Sequence, residues 1–207
     1  MDARALLEPF RIVPVVVVDD PDTAVELART FVASGIGVIE VTLRTEGALG
    51  AIEAIARHVP DMLVGAGSIR RASQFGDIVN AGAKFAVSPG SAPALFDAAR
   101  ESRMPFVPGA VTPSEVLGLL ERGYTLQKFF PAEAAGGIPF LQSIGSPVPE
   151  ACFMPTGGIG PELAKDYLAL SNVAAVGGSW LAPPDKLASG AFDEIETIAR
   201  DAASIGV

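Results

Sequence analysis

Lys128 stands inside an apolar run, Leu126-Gln127-Lys128-Phe129-Phe130-Pro131. Its short length, aromatic enrichment and closing proline predict a buried strand that ends at Pro131. Alternation along a strand puts Leu126, Lys128 and Phe130 on one face and Gln127 and Phe129 on the other. An ammonium is costly beside phenylalanine on a buried face, so such a place favours the free amine, a nucleophile for a carbonyl carbon. Two plainer readings stay open on this stretch alone. The lysine pairs with a buried carboxylate, or its stem lies on apolar surface while its head reaches solvent.

A second stretch carries the same signature. In Val38-Ile39-Glu40-Val41-Thr42-Leu43-Arg44, the residues Ile39, Val41 and Leu43 make one apolar face. Val38, Glu40, Thr42 and Arg44 make the other. If the apolar face packs on helices, a carboxylate, a hydroxyl and a guanidinium point into the middle of the sheet, where they are expensive without a purpose or mutual pairing. A structural Glu40–Arg44 ion pair is the plain alternative.

The bulk composition narrows the chemistry around these groups. The chain has 207 residues, 49% of them apolar and 19% charged, enough for one heavily buried domain spanning 1–207. A net charge of −9 argues against a nucleic-acid surface and against attraction to anionic lipid. His58 is the only histidine and Cys152 the only cysteine, so a histidine- or cysteine-based metal site, a Ser-His-Asp triad and an internal disulfide are not expected. His58 reads as the tail of a helix, Cys152 as core, and Trp180 as packing or interface. The first nine residues do not resemble a signal peptide, and no apolar run approaches the ~20 residues of a membrane span. A soluble, cytoplasmic protein is the expectation.

The elements that must position Lys128 and Glu40 follow a regular alternation. Strand-like runs are expected at Ile12–Val18, Val38–Leu43, Leu63–Ser68, Phe85–Gly90, Pro105–Gly109, Leu126–Phe130, Cys152–Thr156 and Val173–Ser179. Pro14 suits a strand start or a bulge. Helical patterns follow at Pro21–Ser34 after the Asp19-Asp20 cap, at Glu46–His58, Ala72–Ala81 and Pro93–Glu101, and after the Thr112-Pro113-Ser114-Glu115 capping box. Further ones are expected near Phe140–Ile144, at Glu162–Leu170 and at Phe192–Ala203. Ala132–Gly137 reads as a loop of small residues. Eight strand–helix repeats favour a (β/α)8 TIM barrel over an open doubly wound sheet, whose Gly-rich fingerprint is missing after the first strand.

In such a barrel reactive groups gather at the C-terminal strand ends, and Glu40, Arg44, Ser68, Pro89, Lys128, Thr156 and Ser179 all map there. Gly157-Gly158 and Gly177-Gly178-Ser179 occupy the loops after strands seven and eight, where backbone N–H groups can receive a phosphate. Taken singly, each Gly pair is better read as a tight turn.

Six motifs then carry a resemblance across nearly the whole chain: Glu40-Val41-Thr42-Leu43-Arg44-Thr45, Gly65-Ala66-Gly67, Ser88-Pro89-Gly90, Lys128-Phe129-Phe130-Pro131-Ala132-Glu133, Pro155-Thr156-Gly157-Gly158-Ile159 and Gly177-Gly178-Ser179-Trp180. In this order they resemble the 2-keto-3-deoxy-6-phosphogluconate (KDPG) and 2-keto-4-hydroxyglutarate (KHG) aldolase family. The resemblance implies a class I aldolase of the Entner–Doudoroff type, without cofactor or metal, built as a homotrimer of (β/α)8 barrels. It implies a Schiff-base lysine at Lys128 and a general base at Glu40. Arg44 and the Ser68 hydroxyl would hold the substrate carboxylate, Pro89, Phe130 and Thr156 would line the pyruvate pocket, and Gly157, Gly158 and Ser179 would hold the phosphate. Its substrate would be a 2-keto acid sugar phosphate, giving pyruvate. The KHG and galactonate aldolases are the near alternatives, with the gluconate form favoured because Ser179 and Thr156 resemble that branch. An isomerase on the same barrel and a non-catalytic sugar-phosphate-binding protein are the more distant ones. Two departures stand out: Ser68 replaces the more usual threonine, and Ala135 an expected asparagine.

Overall fold

The computed structural model describes residues 2–205; Met1, Gly206 and Val207 of the expected 1–207 domain lie outside the described residues. A short helix α1 (Ala3–Leu7) leads into β1 (Ile12–Val16), α2 (Pro21–Ala33), β2 (Val38–Thr42), α3 (Ala48–His58), β3 (Leu63–Gly67), α4 (Gln74–Asn80), β4 (Phe85–Val87), α5 (Pro93–Glu101) and β5 (Phe106–Val107). There follow α6 (Pro113–Leu120), β6 (Leu126–Phe129), α7 (Gly137–Gly145), β7 (Cys152–Pro155), α8 (Pro161–Leu168), β8 (Val176–Gly178), α9 (Pro184–Ser189) and α10 (Phe192–Ala203). The expected strands and helices are all present, most of them a residue or more shorter at one end. The additions are α1, α9 and a 3-10 turn at Glu133–Ala135, where a plain loop was expected.

The sheet is parallel and curled, and its ladder is not continuous. Six strands pair in the order β5-β4-β3-β2-β1-β8, and β6 pairs with β7 separately. Single bridges link the two groups, Gly109 with Lys128 on one side and Phe153 with Val173 and Thr156 with Gly177 on the other. The interruption has a local cause. The two-residue β5 is bracketed by Pro105 and Pro108, which have no N–H to give to a ladder. Pro14 sits inside β1 in register with Gly178, without the bulge the sequence suggested. Pairing with β2 is registered only from Val15 onward, so the missing N–H falls at the edge of that ladder.

Helix ends follow the chemistry of their caps. The Asp20 carboxylate accepts from Thr23 N at 2.7 Å to start α2, and Gly35, with φ +86°, follows its end. Thr112 and Glu115 form the reciprocal capping box of α6. One cluster of buried side chains reaches from Ala3 to Ile205 and includes both outward residues of the strands, such as Ile39 and Phe129, and inward ones, such as Val38 and Met154. Cys152 lies in this core, where burial pushes its thiol up from the ordinary cysteine range.

Candidate active site

The alternation along β6 sorts its side chains as their chemistry requires. Gln127 turns outward, its amide donating to Val116 O and Tyr124 O at 3.1 Å each, and Phe129 stacks on Phe140 of α7 with centroids 5.0 Å apart. Lys128 turns inward. Its Nζ donates to Glu40 Oε1 at 3.1 Å and sits 5.5 Å from the centroid of the Phe130 ring. Both charged residues are buried, Lys128 at 4% exposure and Glu40 at 0%. The second carboxylate oxygen, Glu40 Oε2, is buried without a hydrogen-bond partner among the described residues. The lysine thus does pair with a buried carboxylate, which was one of the plain readings. The pair is half satisfied, which is poor design for stability and good provision for a proton acceptor.

Lys128 is the last inward-facing residue of the four-residue β6, at its C-terminal end, whereas Glu40 is the third of five in β2 and lies a layer deeper, below Thr42. Room for Glu40 comes from β3. A Cβ built on Gly67 would overlap Glu40 Oε1 and lie 2.7 Å from its Cγ and Cδ. The small residues of β3 therefore make way for a neighbouring side chain rather than for a ligand directly. Thr42, on the same inward face as Glu40, donates its hydroxyl to Val16 O at 3.0 Å and fastens β2 to β1.

Arg44 does not pair with Glu40. It follows β2 at the exposed rim, where its Nε donates to Ser68 Oγ at 3.2 Å. Ser68 holds φ +59°, a left-handed conformation uncommon for a residue with a side chain, and this strain is placed where the Ser68 hydroxyl oxygen accepts from Arg44. Arg44 and Ser179 line one cavity of about 710 Å³ with Val15, Asp19 and Asp20. Both carboxylates there are already engaged. Asp19 Oδ1 accepts from Gly47 N at 2.8 Å, and hydrogen bonds from Thr23 hold Asp20 below the usual carboxylate range. Arg44 is the cationic side chain lining this cavity.

Of the other expected residues, Phe130 lies over Lys128, and Pro89 and Gly157 are tied to it through Gly109 and Phe130. Ser88 Oγ donates to Gly90 O at 2.5 Å and fixes the turn that carries Pro89. A Cβ on Gly109 would lie 2.5 Å from the Pro89 carbonyl, so the strand bridged to Lys128 presses on that turn. Gly157 (φ +104°) and Gly158 (φ +78°) form the turn after β7, and a Cβ on Gly157 would lie 3.3 Å from the Phe130 ring. Gly177 and Gly178 lie within β8, inside the expected strand-like run Val173–Ser179, and not in the loop beyond it that the phosphate reading used. Thr156 Oγ1 occupies the space of a Gly177 side chain, and the Trp180 ring that of Gly178. Only Ser179 of that motif emerges at the rim. Ala135 costs the 3-10 turn nothing visible, since backbone bonds from Ala135 N to Pro131 O (2.9 Å) and Gly137 N to Ala132 O (2.9 Å) close it.

One contact escaped the sequence reading: Tyr167 of α8 donates its phenol to Glu133 Oε1. A tyrosine on the buried face of a helix needs a partner for its hydroxyl, but the sequence alone does not say which.

Fold and site together define a parallel α/β scaffold with a buried amine, a half-free carboxylate and a cationic rim. The KDPG and KHG aldolase family pattern matches residues 4–198. The KHG/KDPG aldolase of Escherichia coli K12 is 46% identical over 200 residues, covering 97% of this chain and 94% of that protein. The 2-dehydro-3-deoxy-phosphogluconate aldolase of Pseudoalteromonas atlantica is 47% identical over 191 residues, covering 92% and 89%. Among solved structures, the Legionella pneumophila KDPG aldolase, with pyruvate captured at low pH as a covalent carbinolamine intermediate, superposes with a TM-score of 0.95. It is 41% identical, over 99% of each chain. The chain belongs to the KDPG and KHG aldolase family, a family of lyases.

Proposed function

We propose that the chain is a class I aldolase cleaving 2-dehydro-3-deoxy-6-phosphogluconate to pyruvate and glyceraldehyde 3-phosphate. The observation that carries this reading is the buried Lys128 Nζ 3.1 Å from Glu40, whose other oxygen has no hydrogen-bond partner among the described residues. The covalent pyruvate adduct captured in the Legionella relative supports it. Lys128 adds to the C2 ketone, and the carbinolamine loses water to give an iminium ion. Glu40 takes the C4 hydroxyl proton, the C3–C4 bond breaks, and its electron pair moves into the iminium to form an enamine while the aldehyde leaves. Protonation at C3 and hydrolysis then release pyruvate and restore the amine. Arg44 and Ser68 hold the substrate carboxylate, and Pro89, Phe130 and Thr156 shape the pyruvate pocket. Gly157, Gly158 and Ser179 receive the phosphate.

The same chemistry extends to 4-hydroxy-2-oxoglutarate, in line with the double name of the Escherichia coli relative. The reading also includes one domain whose eight strands close into a (β/α)8 barrel through the single bridges beside β6 and β7, assembly as a homotrimer, and a cytoplasmic place in the Entner–Doudoroff route. Incubation with pyruvate and borohydride, followed by peptide mapping, tests the central claim. One reduced pyruvyl group on the peptide containing Lys128 is expected. Labelling elsewhere, or none at saturating pyruvate, rejects the imine.

A further inference from the structure

The turns after β6 and β7 are fastened to each other, and the last fastening is a side-chain contact with no part in the chemistry above. Ala132 N donates to Thr156 O at 2.9 Å and Glu133 N to Gly157 O at 3.2 Å. Beyond these, Glu133 Oε1 accepts from the phenol of Tyr167, whose side chain is fully buried in α8. Burial and the carboxylate push the Tyr167 hydroxyl above the ordinary tyrosine range, so it remains a donor throughout the neutral range. The surroundings leave no slack. A Cβ on Gly158 would lie 2.9 Å from Glu133 Cβ and Cγ, and one on Gly137 would lie 3.0 Å from Glu133 Oε1 and 3.2 Å from the Tyr167 oxygen.

We propose that Tyr167 and Glu133 are a positioning pair that fixes the Gly157-Gly158 turn in the shape that receives the substrate phosphate. Two successive glycines at positive φ are free to leave that conformation, and their N–H groups converge on an anion only when both dihedrals are held. Phe130 holds the turn from the side of Gly157 and Glu133 from the side of Gly158. Glu133 is a carboxylate beside the intended anion site, and the Tyr167 hydroxyl engages one of its oxygens and sets its direction. The proposal rests on the phosphate assignment made above and adds to it two residues that do not touch the substrate.

The test reads the ratio of kcat/KM for the phosphorylated substrate to kcat/KM for 4-hydroxy-2-oxoglutarate, which has no phosphate. Ser179→Ala serves as the reference for the phosphate assignment itself and should lower the ratio by about 10- to 150-fold, the worth of a hydrogen bond to a charged group. Tyr167→Phe should lower it by about 3- to 10-fold, mainly through KM, as expected for loss of an indirect neutral hydrogen bond. Glu133→Ala should lower it similarly, and Glu133→Gln, which keeps an acceptor for the phenol, should restore most of it. Glu133 is exposed, so its variants test the idea even if Tyr167→Phe folds poorly. An unchanged ratio in both Tyr167→Phe and Glu133→Ala, while Ser179→Ala lowers it, overturns the positioning role alone. A rise in both Glu133 variants also overturns it, since the residue would then act only as a repelling charge. An unchanged ratio in Ser179→Ala overturns the phosphate assignment, and the positioning role with it.

Discussion

Lys128 Nζ donates to Glu40 Oε1 at 3.1 Å across the interior of the sheet, while Glu40 Oε2 faces the same interior without a partner among the described residues. One oxygen orients the amine, and in the proposed mechanism the other takes the proton of the substrate hydroxyl. Glu40→Gln keeps the shape and removes the base, so kcat should fall by roughly 10²–10⁴-fold, the usual worth of a positioned acid–base group. Borohydride trapping of pyruvate on Lys128 should survive the change. Steady-state assay beside trapping decides it, and near wild-type turnover would remove Glu40 from the role.

Gly67→Ala reaches the same carboxylate from behind. The added methyl would overlap Oε1 and must push Glu40 towards Lys128 or out of line. Misplacement of a catalytic group by about 1 Å can cost 10²-fold, so a drop in kcat of about 10- to 100-fold is expected, with the overpacking costing about 1–3 kcal/mol of stability. Far-ultraviolet circular dichroism and thermal melts separate the two effects. Unchanged kcat would mean that Glu40 has room the structure does not show.

Arg44→Ala removes the guanidinium from the rim and the donor from Ser68. KM for 2-keto acids should rise by about 10- to 150-fold, the range for a charge-assisted hydrogen bond, with a smaller loss in kcat. A loss confined to kcat would move Arg44 from carboxylate binding to the chemical step.

Alkaline stability offers a separate check. Tyr167 is raised above the ordinary tyrosine value of 10.0, first by burial and then by its hydrogen bond to Glu133. The folded state therefore holds the phenolic proton more tightly than the unfolded chain does. Its contribution is complete below about pH 10 and is lost as the pH rises towards the folded value. The melting temperature of the parent protein should fall more steeply above about pH 10 than that of Tyr167→Phe. Tyr124, also raised by burial, leaves some decline in the variant. Parallel curves would show that Tyr167 does not govern this limb.

How far the sequence disclosed this site depends on which physical signal each residue carries. Lys128 and Glu40 were legible because a charge on an alternating apolar face is anomalous in itself. Arg44 was legible as a group but not as to partner, because its reach past the strand end lets it choose Ser68 over Glu40. Gly177 and Gly178 fell in an expected strand and also read as a phosphate loop, because glycine marks turns. Their reason is instead the Thr156 and Trp180 side chains laid over β8, a tertiary fact. The Tyr167–Glu133 contact joins residues 34 apart in the chain, with no periodic pattern connecting them. The alternation of strands and helices carried the scaffold well. It did not foretell that the ladder would thin to single bridges around β6 and β7, because bridge counts depend on where prolines and short strands fall.

That thinning leaves the wall around Lys128 with few backbone ties, which makes its side-chain contact a structural one as well. The short segment beside Lys128 is joined to its neighbour through Lys128 N to Pro108 O and Ala110 N to Lys128 O, while the lysine side chain crosses to β2, which is not its ladder neighbour. The ion pair is therefore a strut between two parts of the wall. In the proposed mechanism the amine becomes an imine and Arg44 and Ser68 grip the substrate carboxylate, so the bound 2-keto acid would take the place of that strut as the cross-member.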